Sequence, residues 1–297
     1  MLNKQAFCTI FFLTFFLTFS FAQSKTNFEF IGGLKLNNKD TEIISYKIVF
    51  NNNNGIIKGY SLTDLGGEHE TKNLISGTYD KKNKILKFKE YDIVYTKSKF
   101  QKSSFCYVNF NGRLDLNASN AKINDKFVGL YKNESKCISG VIQLVAVEKV
   151  IKLVNKVNKK ISTSKKIDSV TKAKFNPTKM LDSLNTNQLK ENQTLSMFTK
   201  DKNIFFEIKD SGAEDGDMIN IYVNKKLILE NHVVKKVAKT LNVQTTGEAT
   251  EIEVEALNEG KYPPNTADVI IRDSENELKT ISKLKKGKKT KITIIKK

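Results

Sequence analysis

Short apolar segments separated by turn residues recur along most of the chain, and this pattern predicts β-strands. In residues 85–90, lysines flank Phe88, which is typical of a strand with one buried and one solvated face. The Asn54-Gly55 step lies between two apolar segments, where an Asn-Gly pair is a strong hairpin signal. Residues 28–147 thus predict four hairpins, with turns at residues 51–55, 80–83, 111–112 and 132–134.

Eight or nine strands joined by short turns must protect their two edges. Closure into an up-and-down barrel achieves this, and an open sandwich is the alternative. The order of strands resembles lipocalin-like and avidin-like barrels in layout only, because no motif of either family is present. A small barrel can enclose a ligand or be filled by its own side chains, and we expect a filled interior.

Residues 148–200 differ in composition and predict a basic, partly helical linker. The first predicted helix has apolar residues at helical spacing and lysines on the other face: Val147, Val150, Ile151, Val154 and Val157. A second short helix is predicted after Pro177 from Met180, Leu181, Leu184 and Leu189. The alternative interpretation is a basic helix on a membrane surface, although the first helix lacks aromatic residues.

Residues 201–297 again predict short strands separated by turns, at a spacing typical of a β-sandwich. Residues 251–257 alternate strictly, with glutamates on one face. The predicted strands are 204–208, 218–223, 226–229, 240–243, 251–257, 267–272, 278–281 and 291–295. The predicted fold class is therefore all-β, with a barrel or sandwich at 23–147, a linker at 148–200 and a sandwich at 201–297.

The first 22 residues predict a cleavable secretory signal. Lys4 gives a positive start, an apolar run covers residues 6–16, and Ser20 and Ala22 are small residues before Gln23. A retained membrane anchor is the alternative, but the run is shorter than the ~20 residues that a spanning helix needs. We expect a mature protein that begins near Gln23 and is secreted, periplasmic or at the surface of a bacterial cell.

Removal of the signal leaves two cysteines, Cys106 and Cys137. In an exported chain such a pair is expected to form one disulfide. A reactive thiol pair would favour a C-x-x-C spacing or a nearby histidine, and neither is present.

The net charge of +18 suggests a polyanionic partner. Arg113 and Arg272 are the only arginines, and nucleic-acid readers favour arginine for bidentate contacts. Nearly half of the charge lies in residues 151–200, which contain eleven lysines and three acidic residues. We expect contact with a polysaccharide or another cell-surface component, and no specific nucleic-acid target.

An acidic loop at residues 210–217 is the strongest candidate site. Its four carboxylates repel one another unless a positive group lies among them, and Ca²⁺ favours such oxygen ligands. The loop therefore predicts a calcium site, although its spacing is not that of an EF-hand. A solvated turn, in which the Asp side chains cap main-chain amides, is the alternative. The candidate ligands are Asp210, Glu214, Asp215 and Asp217.

A second loop, at residues 256–267, contains two of the three prolines and is expected to be stiff. Asn258 and Asn265 can bond the loop backbone, and this is the favoured interpretation. Tyr262 could offer a stacking face to a sugar or a peptide, so these three residues are candidate ligand-binding residues.

The two loops together carry a recognisable pattern. It consists of Asp-x-Gly-x-x-Asp-Gly-Asp-x-Ile-x-Ile-Tyr-Val-Asn at 210–224 and Asn-Glu-Gly-x-x-Pro-Pro-Asn-Thr-Ala at 258–267. This pattern resembles a β-sandwich module near the carboxy termini of secreted bacterial proteins of uncharacterised function. The resemblance covers about residues 200–297 and implies fold and export, but no activity. A looser likeness links the acidic loop to calcium-dependent carbohydrate-binding modules, although Lys225 replaces their glycine.

No catalytic motif is evident. Residues 66–70 place His69 between two glutamates, as a base or metal ligand would be, but a solvated loop is the favoured interpretation. No serine lies in a Gly-x-Ser-x-Gly motif. A hydrolase would require His69 or His232 to meet a carboxylate and a hydroxyl in a cleft. The leading hypothesis is a secreted, non-enzymatic binding or structural protein, and the alternative is a small-molecule carrier that uses the barrel interior.

Overall fold

The computed structural model describes residues 27–37, 43–99, 102–118, 120–169, 172 and 187–297. The predicted signal peptide and residues 180–184 of the second predicted linker helix lie outside the described residues. In the described part, strands dominate and form a barrel and a second body built from two sheets. This confirms the all-β fold class.

The first eight strands form a closed antiparallel barrel. Each strand pairs with its neighbours in the sequence, and β8 pairs with β1 to close the barrel. The up-and-down barrel is therefore confirmed over the open sandwich. The strands are β1 Asn27–Leu36, β2 Ile43–Asn53, β3 Ile56–Thr63, β4 Thr71–Asp80, β5 Ile85–Thr96, β6 Tyr107–Arg113, β7 Lys122–Leu130 and β8 Gly140–Ala146.

The barrel interior is occupied by large side chains. Alternate residues of each strand point inward, so aromatic rings from several strands share one core. Phe88 and Phe110 stack with their ring centroids 5.4 Å apart. Other buried aromatic residues of this core are Phe30, Tyr46, Phe50 and Phe127. This packing agrees with the expected filled interior.

One predicted hairpin turn is present and another is wrong. Asn54 and Gly55 have φ values of 50° and 87°, as the tight turn between β2 and β3 requires. In contrast, Gly112 lies inside β6 and pairs with Leu86 of β5. A Cβ atom at Gly112 would lie 2.4 Å from Cζ of Phe110. This glycine therefore makes room for a core ring and forms no turn.

The predicted disulfide is present. Cys106, directly before β6, is bonded to Cys137, which lies between β7 and β8, at a sequence separation of 31 residues. Closing a loop of this length stabilises a fold by about 3–4 kcal/mol, mainly by restricting the unfolded chain.

The first predicted linker helix is also present. Helix α1, Val147–Thr163, follows β8 directly and has no side-chain cap at Ala146. None of its side chains is buried. Among the described residues, no helix has the length and apolar character needed to cross a bilayer.

The second body consists of two facing sheets around one core. One sheet has the order β13-β12-β15-β18-β10, and the other has the order β14-β11-β16-β17-β9. Ile221 and Ile252 of the first sheet and Phe206 of the second are fully buried in this core. The strands are β9 Gln188–Leu189, β10 Thr194–Thr199, β11 Asn203–Lys209, β12 Met218–Val223, β13 Lys226–Val233, β14 Lys239–Gln244, β15 Ala249–Ala256, β16 Asn265–Arg272, β17 Glu277–Leu284 and β18 Lys289–Lys296.

The predicted linker contributes two of these strands. Leu189, which was expected in a helix, lies in β9 and is fully buried, so that prediction is wrong. Leu195 and Met197 of β10 are also fully buried. Strands of two and six residues give only a weak periodic signal, and their pairing with β17 and β18 decides their conformation.

The barrel and the second body share a sheet. Strand β5 pairs with β6 in the barrel, whereas its last residues pair with β10 of the second body, for example Tyr95 with Met197. Two register irregularities between β4 and β5 precede this point. Such bulges bend a strand. Val94 and Tyr95 consequently lie in the core of the second body.

Candidate functional site

Two loops that the sequence singled out lie against each other on the second body. Residues 210–217 connect β11 to β12, and residues 257–264 connect β15 to β16. The main-chain N–H of Lys261 donates to the carbonyl oxygen of Asp215 at 3.0 Å. The N–H of Tyr262 donates to Asp215 Oδ2 at 2.7 Å. The structure therefore brings the predicted metal ligands and the predicted ligand-binding residues to one place.

The two asparagines of the second loop bond main-chain atoms. Asn258 Oδ1 accepts from the N–H of Met218 at 2.7 Å, and its amide nitrogen donates to the carbonyl oxygen of Gly216 at 2.8 Å. The amide nitrogen of Asn265 donates to the carbonyl oxygens of Met218 and Asn258. Both residues thus hold the two loops together, as the favoured interpretation of the sequence expected.

The carboxylates of the acidic loop accept main-chain N–H groups as well. Asp210 Oδ1 accepts from Gly212 at 2.6 Å, and Asp217 Oδ2 accepts from Thr266 at 2.8 Å. Glu214 Oε1 accepts from the N–H of Lys236. The alternative to a metal site was a turn in which acidic side chains cap main-chain N–H groups, and these three contacts are of that kind.

A positive group that sequence reasoning missed lies at this loop. The ammonium group of Lys236 is 3.7 Å from Asp210 Oδ1, and it donates to the carbonyl oxygen of Gly212. Lys236 follows β13 and is far from the loop in sequence, so no local pattern links them. It offsets part of the repulsion among the carboxylates.

In these two loops, three buried acceptor oxygens have no hydrogen-bond partner among the described residues: Asp210 Oδ2, Asp217 Oδ1 and Asn265 Oδ1. Asp217 is only 1% exposed. Burial raises its pKa to about 6, and the charges of Asp215 and Asp210 act in the same direction. Buried acceptors without donors are costly, and a cation is one group that would satisfy them.

The donor set fits a hard cation better than zinc. In the described residues, no group of three or more His, Cys, Asp or Glu side chains has the arrangement of a metal site. A cation here would therefore depend on amide and main-chain carbonyl oxygens in addition to Asp210 and Asp217. Ca²⁺ accepts such mixed oxygen ligands, whereas structural zinc sites use nitrogen and sulfur.

Tyr262 lies at the edge of the same loops. Its side chain is 60% exposed, and the Lys261 ammonium group is 5.5 Å from its ring centroid. Its main-chain N–H holds the acidic loop, and stacking of its exposed ring on a sugar or a peptide stays a prediction.

The expectation of a solvated loop at residues 66–70 is wrong for Glu70. This residue is 4% exposed, and its Oε1 accepts from the Tyr95 hydroxyl at 2.8 Å. Its Oε2 accepts from the N–H of Gly66 at 2.6 Å, and the Lys97 ammonium group lies 3.8 Å from Oε1. Burial lowers the pKa of Lys97, while Glu70 opposes the shift. Glu70 and Lys97 form a buried ion pair where the barrel joins the second body.

One requirement for a hydrolase is met in part. Ser98 Oγ lies 3.4 Å from Nδ1 of His69, and Asp64 accepts from the main-chain N–H of His69 at 2.9 Å. His232 is on the edge strand β13, where burial and the charges of Lys239 and Lys235 lower its pKa. The carboxylate of Asp64 thus holds the main chain of His69, which is not the role of the carboxylate in a catalytic triad.

The barrel interior also contains a buried carboxylate, that of Glu90, which the sequence analysis did not identify. Glu90 is buried and accepts from the Tyr46 hydroxyl and from the main-chain N–H of Val108, each at 2.7 Å, and from the Ser61 hydroxyl. Burial raises the pKa of Glu90, and these hydrogen bonds partly oppose that shift. Glu90 faces inward with Phe88 of the same strand, and its donors come from three other strands.

Comparisons of the chain with protein-family models, with curated proteins and with solved structures found no match. The likeness of residues 200–297 to the exported module therefore stays a prediction.

Proposed function

We propose that this protein is an exported, non-enzymatic binding protein that takes up a calcium ion between residues 210–217 and residues 257–266. The observation that carries the proposal is the set of three buried oxygens without donors, on Asp210, Asp217 and Asn265. All three are oxygen acceptors, and Ca²⁺ takes carboxylate and amide oxygens as ligands. Tyr262 is the proposed contact for a polysaccharide or another cell-surface component.

Calcium titration of the full mature chain tests this proposal. After treatment with a chelator, calorimetry is expected to show one site, and the Asp217→Asn variant is expected to bind at least tenfold more weakly. An asparagine can still accept the N–H of Thr266 through its amide oxygen, so the loop should keep its fold. Asp125→Asn changes an exposed carboxylate on the barrel strand β7 and serves as the matched control. A flat titration of the wild type would exclude calcium, and equal binding by Asp217→Asn would exclude this site.

The same variant should change the pH dependence of stability without calcium. The folded pKa of Asp217 is about 6 and its ordinary value is 3.8, so the folded state holds the proton more tightly. Stability should therefore fall as pH rises from about 4 to about 6, by up to about 3 kcal/mol, and then level off. Asp217→Asn should flatten this slope. Calcium needs the ionised carboxylate, so its affinity should decrease below pH 6.

Export is a separate part of the proposal and has its own test. Expression of the full chain in a bacterial host with a general secretion system is expected to yield protein outside the cytoplasm. Intact mass should correspond to a chain that begins at Gln23. Protein that stays in the cytoplasm with Met1 in place would contradict export but would leave the calcium site untouched.

The packed core argues against a carrier that uses the barrel interior, because aromatic side chains occupy the space that a ligand would need.

A further inference from the structure

A cavity lies at one end of the barrel, between the barrel core and the start of helix α1. Its volume is about 410 Å³, which is within the range of small-molecule pockets. Apolar side chains from both sides form most of its lining: Phe28, Phe30, Leu116, Ala121, Val147 and Ile151.

The barrel wall of this cavity is well packed. Phe50 lies between two phenylalanines of β1, with ring centroids 5.5 Å from Phe28 and 6.1 Å from Phe30. Phe30 is 2% exposed. The aromatic wall is thus fixed by the barrel core and does not depend on the helix.

The helix side is incompletely covered. Helix α1 places its apolar residues on one face, yet none of them is buried, and Ile151 is 38% exposed. An amphipathic helix is normally stabilised by packing of its apolar face. A ligand in the cavity would cover Val147 and Ile151 and would supply that missing contact.

Charged residues at the rim indicate the chemical class of the ligand. Lys149 and Lys152 of the helix line the cavity, together with Glu148 and Glu29. Glu29 has Lys47 as its partner at 3.3 Å. Two lysines against one remaining glutamate leave the rim positive, next to an apolar floor.

We propose that this cavity binds a small amphipathic monoanion, such as a medium-chain fatty acid. The hydrocarbon chain lies against Phe28, Phe30 and Ile151, and the carboxylate lies at Lys149 and Lys152. This site is separate from the proposed calcium site and does not depend on it.

Dodecanoate is a suitable probe, used below its aggregation concentration with the full mature chain. Calorimetry is expected to show one site per chain, and dodecanoate should displace 1-anilinonaphthalene-8-sulfonate from it. Ile151→Trp should lower the affinity for dodecanoate at least tenfold, because the larger ring fills the cavity. Val157→Trp makes the same change at a residue of the same helix that is 45% exposed and does not line the cavity, so it should bind as the wild type does. Since both positions are exposed, neither change should prevent folding.

The rim lysines are tested with a neutral analogue. A double Lys149→Ala and Lys152→Ala variant should lose affinity for dodecanoate about tenfold and keep its affinity for dodecanol. Lys156→Ala, on the next turn, is the control. No binding to the wild type would overturn the proposal, as would equal loss in Ile151→Trp and Val157→Trp. Binding only to anionic lipid vesicles would also overturn it, and would identify the helix as a membrane-surface segment instead.

Discussion

Replacement of Glu70 by alanine is expected to lower the free energy of unfolding by about 3–5 kcal/mol, because it leaves a buried ammonium group without its counter-charge. The side chain of Lys97 is only 1% exposed and has Glu70 as its ion-pair partner. The change also removes the acceptor of the Tyr95 hydroxyl and of the Gly66 N–H. Urea denaturation followed by intrinsic tyrosine fluorescence measures the effect.

Two further variants separate the ion pair from general disturbance of the segment. Glu68→Ala changes an exposed carboxylate two residues away and should cost less than about 0.5 kcal/mol. The double variant Glu70→Leu with Lys97→Met removes both charges, and it should be more stable than Glu70→Ala alone. If Glu70→Ala were as stable as Glu68→Ala, the buried pair would have no structural role.

The ion pair of Glu70 and Lys97 also offers a test of whether the stability of the barrel is coupled to that of the second body. Tyr95 belongs to the core of the second body, whereas Gly66 lies in the connection between β3 and β4 of the barrel. Loss of Glu70 should therefore weaken the protection of amide hydrogens in β5 and β10 together. Exchange confined to the barrel would show that the shared sheet does not couple the two bodies.

Replacement of Glu90 by alanine is expected to cost about 2–4 kcal/mol, because three buried donors lose their acceptor at once. These donors are the hydroxyls of Tyr46 and Ser61 and the N–H of Val108. Glu90→Gln should lie between the wild type and Glu90→Ala. Its amide oxygen can accept from the hydroxyls, whereas its amide nitrogen cannot accept from Val108. Thermal and urea unfolding of the three proteins give this order.

The pH dependence gives an independent check on Glu90. Its pKa in the folded state is raised, mainly by burial, from the ordinary value of 4.5. The folded state therefore binds the proton more tightly, and the carboxyl group contributes less stability as pH rises above about 4.5. Glu90→Gln should remove the part of this dependence that Glu90 contributes, beside that of Asp217, whereas Glu134→Gln, in an exposed turn, should change nothing. A wild type whose stability does not change over this range would contradict a strained buried carboxylate.

Much of the fold follows from local patterns. The strand at residues 251–257 alternates strictly, and Ile252 and Val254 of β15 are fully buried. Asn54-Gly55 forms its turn because both residues tolerate a positive φ. The Asn-Gly pair at 111–112 carries the same local signal, yet it lies inside β6, because the neighbouring ring of Phe110 needs the space. A pattern of two residues cannot distinguish these cases, since the deciding contact comes from packing.

At the candidate site, too, local patterns identified some features and long-range contacts decided the others. The sequence identified both loops, and the structure places Asp215 against Lys261 and Tyr262. The sequence could not identify Lys236 as the positive group beside Asp210, because the whole of strands β12 and β13 lies between them. The buried partners of Glu70 and Glu90 were missed for the same reason.

The sequence alone determined that this chain folds mainly into strands, that Cys106 and Cys137 pair, and that two polar loops stand out in the last third. These properties depend on composition and on contacts between neighbours in the chain. Only the tertiary structure decided that β5 joins the barrel to the second body, that Glu70 and Lys97 meet at this junction, and that helix α1 leaves a cavity at one end of the barrel. Each of these depends on where distant strands come to lie, and periodicity along a single chain does not encode that position.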